Sequence, residues 1–250
     1  GLLFGHPLLW PALAPLAQRR RLILYDQRGR GQTPAPPGVR AARIAHDAAD
    51  VPALRLALGI ERWDVLGHSW GGGIAMLAVA SDAAATRALT LINAVGATSG
   101  WLPPLHALAL AKLPEPERGR LAAFDPAQLL VPDPAVHLAY HRAFYPAWFS
   151  DLDMGRRLAP PHALSVTGAT IAARLRGEGY DWRETLQGLD VPTLLLHGSD
   201  DLIPPGTADA TAALLPRARR VNVPQAGHLP FFEAPEHTFA AIEDFLGSVG

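Results

Sequence analysis

The chain has 250 residues, 22 basic and 23 acidic side chains, a formal charge of -1 and a pI near 6.9. With 49% hydrophobic and 18% charged residues it is a folded chain rather than a disordered one, long enough to bury roughly three quarters of its unfolded surface. The absence of cysteine excludes disulfides, thiolate catalysis and Cys-ligated metals, and the balanced charge lacks the basic excess of a nucleic-acid binder.

No apolar stretch reaches the ~18 residues of a membrane helix, so no membrane partner is expected, and the location expected is cytoplasmic. The segment from Leu2 to Ala17 is apolar like a signal peptide, but His6, the nearby prolines and the missing basic start argue against that. The chain starts on Gly1 rather than Met, and the expectation is that its beginning is incompletely represented. Short strand-like runs follow one another: Leu2-Leu3-Phe4, Leu22-Ile23-Leu24-Tyr25, Trp63-Asp64-Val65-Leu66, Leu89-Thr90-Leu91-Ile92, Thr193-Leu194-Leu195-Leu196 and Arg220-Val221-Asn222-Val223. Helical patterns alternate with them at 41–58, 72–80, 206–215 and 235–246. Pro52 falls inside the first of these, so that helix is expected to kink or to begin near Asp50 as its cap. The alternation indicates an α/β fold, a mostly parallel sheet flanked by helices on both faces.

Residues 97–189 break the pattern, being rich in proline, aromatics and helix-like pieces but without a buried strand. They are expected to form a helical lid inserted between strands, over a catalytic domain made of residues 1–96 and 190–250. Ligands of such sheets bind at the carboxyl ends of the strands. Of Trp101, Tyr140, Phe144, Tyr145, Trp148, Phe149 and Trp182, most should fill the lid's own core and two or three should face a pocket.

The chemistry begins at Gly67-His68-Ser69-Trp70-Gly71, which follows a strand candidate and precedes a helical run. A tight strand-to-helix turn forces unusual backbone angles on its serine, and small residues on either side avoid the resulting clash. Ser69 is thereby presented at a helix N-terminus, where the Trp70 N–H can meet a developing oxyanion. A serine nucleophile needs a base, and the base needs an orienting acid. His228, in Gly227-His228-Leu229-Pro230 between the last strand and the last helix, is the base candidate. His6 and His68 suit packing and supporting hydrogen bonds, His197 braces the acid loop, and His46, His106, His137, His141, His162 and His237 sit in helical or lid context. The acid is Asp200 or Asp201, both leaving a strand at its carboxyl end. They cannot both point inward, and Asp201 is favoured, with Asp200 exposed or capping the next turn.

The elbow, the His197-Gly198-Ser199-Asp200-Asp201 loop and the Gly227-His228 loop together resemble the α/β-hydrolase superfamily. Tyr25-Asp26-Gln27-Arg28-Gly29-Arg30-Gly31-Gln32-Thr33, with Gly67-His68-Ser69-Trp70-Gly71-Gly72 and Asp190-Val191-Pro192-Thr193-Leu194-Leu195, resembles more narrowly the proline iminopeptidase family. That resemblance implies a serine hydrolase with the triad Ser69, Asp201 and His228, working through an acyl-enzyme without metal or organic cofactor. It implies an aminopeptidase releasing N-terminal proline or small apolar residues from short peptides. Glu178 would then hold the free amine, and Trp148 and Phe149 the apolar ring. Where the family carries H-G-G-P-G, this chain reads Phe4-Gly5-His6-Pro7-Leu8, so the second oxyanion donor is expected near Gly5 in an altered loop; Pro7 has no N–H to offer. The position after Asp201 is Leu202, not the second acid of some relatives. The alternatives are a carboxylesterase or C–C bond hydrolase acting on small hydrophobic acyl compounds, and a ligand-binding receptor on the same scaffold. Serine at position 69 excludes the aspartate-nucleophile epoxide hydrolases and dehalogenases of this fold.

Overall fold

A computed structural model describes residues 2–158 and 165–249, apart from the side chain of Arg40; His162 lies outside the described residues. Among the described residues four parallel strands form one sheet in chain order: β1 (Trp63–His68), β2 (Thr86–Ile92), β3 (Thr193–Gly198) and β4 (Ala218–Val223). Helix α1 (Ile44–Ala57) precedes β1, and α2 (Trp70–Ser81) connects β1 to β2. Between β2 and β3 lie α3 (Leu105–Lys112), α4 (Glu117–Ala122), α5 (Pro134–Phe144), α6 (Leu152–Arg157), α7 (Val166–Glu178) and α8 (Arg183–Leu186). Then α9 (Pro205–Ala212) connects β3 to β4, and α10 (Pro230–Glu233) and α11 (Pro235–Ser248) close the chain. No helix among the described residues is long and apolar enough to cross a membrane.

The central strands β2 and β3 are buried almost throughout because both faces of the sheet are covered, whereas the edge strands β1 and β4 are partly exposed. Successive side chains alternate between two cores, as a period of two requires. Leu89, Leu91 and Leu195 join the core shared with α1, α2 and the helices between β2 and β3. Ala88, Ile92, Leu194 and Leu196 join a second core with Phe245 and Leu246 of α11. Two of the six expected strands do not form. Leu2–Phe4 and Leu22–Tyr25 carry the β-type composition, but a strand exists only where a neighbouring backbone accepts its ladder bonds. A groove of about 490 Å³, lined by Leu22, Leu24, Val65 and Leu66 among others, separates the second run from the free edge of β1.

Helix α1 also departs from expectation. It runs from Ile44 to Ala57 with Pro52 inside, and Arg43, not Asp50, occupies its N-cap. Asp50 is engaged elsewhere, accepting a 2.7 Å bond from Arg28 Nε. The Asp26–Thr33 run, read as a signature, acts as a clamp on the chain's first residues. Asp26 Oδ1 accepts the His6 N–H at 2.6 Å, and Arg30 Nε donates to the Leu2 carbonyl at 2.8 Å. Arg30 is held in turn by Asp47 of α1 through two bonds of 2.7 and 3.0 Å, with both side chains fully buried. Gly31, at φ +50°, lies where a Cβ would strike the Asp26 carboxylate.

Candidate active site

The carboxyl ends of all four strands meet at one place. Ser69 follows β1, Asn93 follows β2, Asp201 lies three residues past β3, and His228 lies five residues past β4. Register brings them level, since Leu66 pairs with Thr90 and Thr90 with Leu194.

Ser69 is the N-cap of α2 with φ 55° and ψ -126°, a conformation that side chains rarely adopt. The turn closes because its flanks carry no Cβ: one on Gly67 would meet the Gly71 carbonyl, and one on Gly72 would meet Ala94. As the first residue of α2, Trp70 has an N–H without an intrahelical acceptor beside the Ser69 hydroxyl. His228 Nε2 is 2.8 Å from Ser69 Oγ, and His228 Nδ1 is 3.0 and 3.2 Å from the two oxygens of Asp201.

Asp201 is buried and fully engaged. Besides His228 it accepts the Asn93 amide at 2.6 Å and the Ile203 N–H at 3.1 Å. Burial alone would raise its pKa, but the His228 ring, with help from His197 and Asn93, outweighs burial and holds it below the ordinary carboxylate range. Asp200 is exposed and accepts from Ser199 and Ser150 side chains, away from His228. His68 donates from Nε2 to the His228 carbonyl at 2.8 Å, and burial beside the His228 ring pushes it down to about 3, so it stays neutral.

The His228 loop is gripped from both sides. The Trp148 indole stacks on the imidazole with centroids 4.0 Å apart, and the Trp148 carbonyl accepts the His228 N–H at 2.6 Å. Glu233 accepts from Gly227 N–H at 2.7 Å and from Ser150 and Asp151 N–H at 2.6 and 3.0 Å. Burial raises its pKa even so. Neither Asn93 nor Glu233 was legible as a site residue. For Asn93 the usable signal was its place immediately after an apolar strand; Glu233 carried none.

A cavity of about 90 Å³ opens onto Ser69 and His228. Its walls include Trp70 from the sheet side and Trp101, Tyr145 and Trp148 from the segment between β2 and β3, so three of the seven aromatics singled out in that segment face it. The remaining expected site residues lie elsewhere. Phe149 is fully buried and packs edge-on against Tyr145 in the second core. Glu178 lies on the outer side of α7, its side chain 62% exposed and paired with Arg174 at 2.9 Å, and is not a wall of the cavity. Gly5 lines the groove beside β1 instead, and the N–H of the adjoining His6 is bound by Asp26; Leu2, Leu3 and Phe4 line the cavity in its place.

Comparison with known proteins places the fold in a family. A family model described as alpha/beta hydrolase fold matches residues 3–235. A proline iminopeptidase of Heyndrickxia coagulans is 23% identical over 95% of this chain and 85% of its own length. A thermophilic esterase from Thermogutta terrifontis, in a malate-bound structure, is 25% identical with a TM-score of 0.70, covering 98% of this chain and 88% of that one. MGS-M2, an α/β-hydrolase enzyme from a deep-sea metagenome library, has a TM-score of 0.74 at 20% identity, covering 100% of this chain and 88% of that one.

Proposed function

The chain belongs to the α/β-hydrolase family and is a hydrolase, and from that premise we propose that it cleaves an ester or amide of a short acyl compound through an acyl-enzyme on Ser69. The observation that carries this reading is the continuous relay from Ser69 Oγ through His228, 2.8 Å away, to Asp201, 3.0 Å beyond. His228 Nε2 takes the Ser69 proton as Oγ attacks the carbonyl carbon. Asp201 keeps the Nδ1–H tautomer and stabilises the imidazolium. The oxyanion forms against the Trp70 N–H, with the second donor from the Leu2–Phe4 segment rather than from Gly5. His228 then protonates the departing alcohol or amine, and a water deprotonated by the same nitrogen releases the acid. Residues 97–189 serve as the lid, with Trp148 holding the imidazole in place.

Between ester and peptide substrates, two observations pull apart. Relatives named proline iminopeptidase support release of an N-terminal proline or another small apolar residue. A peptide's free ammonium needs a carboxylate, and Glu178 is turned away while no Asp or Glu lines the cavity among the described residues. The cavity therefore favours esters. The test is labelling by a fluorophosphonate probe, with Ser69→Ala as the blank, followed by turnover of methyl esters against prolyl- and N-acetyl-prolyl-naphthylamide. Labelling of wild type alone, with ester turnover, is the expected result. An unlabelled wild type would remove the nucleophile, and amide cleavage lost on N-acetylation would restore the peptidase reading.

A further inference from the structure

The cavity beside Ser69 contains a cation that the protein itself leaves unbalanced. Ala172 and Arg176, one turn apart on α7, both line it together with Ser69 and His228. Arg174, two residues earlier and so on the opposite side of the helix, pairs instead with Glu178 at 2.9 Å. Arg176 has neither an ion pair nor a hydrogen bond to any described residue. The groups that feel its charge are the Tyr140 phenol and the rings of His137 and His141.

None of these can neutralise it. Burial pushes the Tyr140 hydroxyl up to about 12, so it stays un-ionised. Burial, with the charge of Arg176 and the His137 ring, pushes His141 down to about 3, so it stays neutral. Burial also lowers the pKa of Arg176, but a guanidinium keeps its proton in a protein. Asp201, the acid of the relay, is consumed by His228, Asn93 and the Ile203 amide. A partly desolvated guanidinium with no counter-ion is costly to hold, and an incoming anion relieves that cost. The same charge repels an ammonium.

We propose that Arg176 determines specificity by binding a carboxylate of the substrate, so that the enzyme acts on half-esters of short dicarboxylic acids. This rests on Ser69 being the nucleophile. The guanidinium takes the free carboxylate bidentately, the methylene spacer lies against Trp101, Leu105 and Tyr145, and the ester carbonyl reaches Ser69. The ester C–O bond breaks as the Ser69 Oγ–acyl bond forms, and the Ser69 proton leaves on the alcohol by way of His228. Water then breaks the acyl–Oγ bond, restores the Ser69 hydroxyl and releases the dicarboxylate.

The test pairs monomethyl succinate, glutarate and adipate with methyl butyrate, pentanoate and hexanoate of matching length. Wild type is expected to favour at least one half-ester over its neutral partner by about 10–100-fold in kcat/KM, the range of a charged hydrogen-bonded pair. Arg176→Met should collapse that ratio and Arg176→Lys should retain part of it. Ratios are taken within one variant, so loss of folded protein does not mimic the effect. Independently of turnover, glutarate or adipate should slow fluorophosphonate labelling of wild type, while pentane-1,5-diol and hexane-1,6-diol should not. Absence of labelling would overturn the nucleophile itself. Labelling without protection by either diacid and without preference for any half-ester would overturn the carboxylate site while leaving the nucleophile standing. A preference that survives in Arg176→Met would move the carboxylate to another group.

Discussion

Ser69 stores strain in its backbone, at φ 55° and ψ -126°, so that its hydroxyl projects toward His228. Such a conformation costs about 1–3 kcal/mol, and glycine adopts it without the Cβ clash. Ser69→Gly is therefore expected to be inactive yet more stable than Ser69→Ala by about 1 kcal/mol, as read from urea midpoints. Asp201 affects catalysis and stability in different ways. Asp201→Asn should lower kcat by roughly 10⁴-fold, the loss found when the acid of a serine-protease triad becomes an amide, because the wrong imidazole tautomer is then held. For stability the sign follows from the depressed pKa. The folded state prefers the charged carboxylate, so its contribution is present above the ordinary carboxylate pKa and is lost as pH falls through the lower folded value. The gap in urea midpoint between wild type and Asp201→Asn should accordingly narrow from pH 6 toward pH 3.

At the scale of elements, the site depends on a contact between the segment joining β2 to β3 and the loop after β4. Trp148 supplies both an aromatic face for the imidazole, 4.0 Å between centroids, and a carbonyl for its backbone N–H. A Cβ on Gly227 would strike that same carbonyl, so the two stretches approach as closely as backbone allows. Trp148→Ala removes the stack but leaves the carbonyl and the Glu233 bonds. The expected result is a fall in kcat of about 2–13-fold, from loss of an aromatic contact worth ~0.5–1.5 kcal/mol, with Ser69 still labelled by fluorophosphonate. An unchanged kcat would remove Trp148 from the positioning of His228. Helix α7 illustrates the same scale: Arg174, Arg176 and Glu178 are neighbours in sequence, yet only Arg176 lines the cavity, because helix phase assigns the faces.

Across the whole molecule, the buried Arg30–Asp47 pair couples α1 to the first residues of the chain. Arg30 also holds the Leu2 carbonyl, and Leu2, Leu3 and Phe4 are walls of the cavity. Asp47→Ala leaves a guanidinium buried without its partner and is expected to cost about 3–5 kcal/mol. Arg30→Met combined with Asp47→Leu should recover most of the stability, since an apolar replacement of similar volume removes both charges. It should not recover full ester turnover, because the Leu2 carbonyl loses its donor. Urea unfolding and methyl-ester kinetics on the single and double variants separate the two effects.

Local chemistry sufficed for much of this. The elbow at Ser69 is legible because a strand-to-helix turn that tight restricts its neighbours to small residues, and the alternation of an extended segment lets only one of Asp200 and Asp201 point inward without saying which. The α/β class follows from apolar runs whose continuity reflects burial on both faces. What the sequence could not decide depended on partners distant along the chain. Leu22–Tyr25 has the residues of a strand but no ladder to join. Gly5 has the flexibility expected of an oxyanion loop, yet Asp26, twenty-one residues away, binds the adjoining amide. Glu178 is the ligand the sequence points to on α7, and Arg176 carries no signal of its own. Only the packing of α7 against α5 and the first residues of the chain turns the acid to solvent and brings the cation to the cavity beside Ser69.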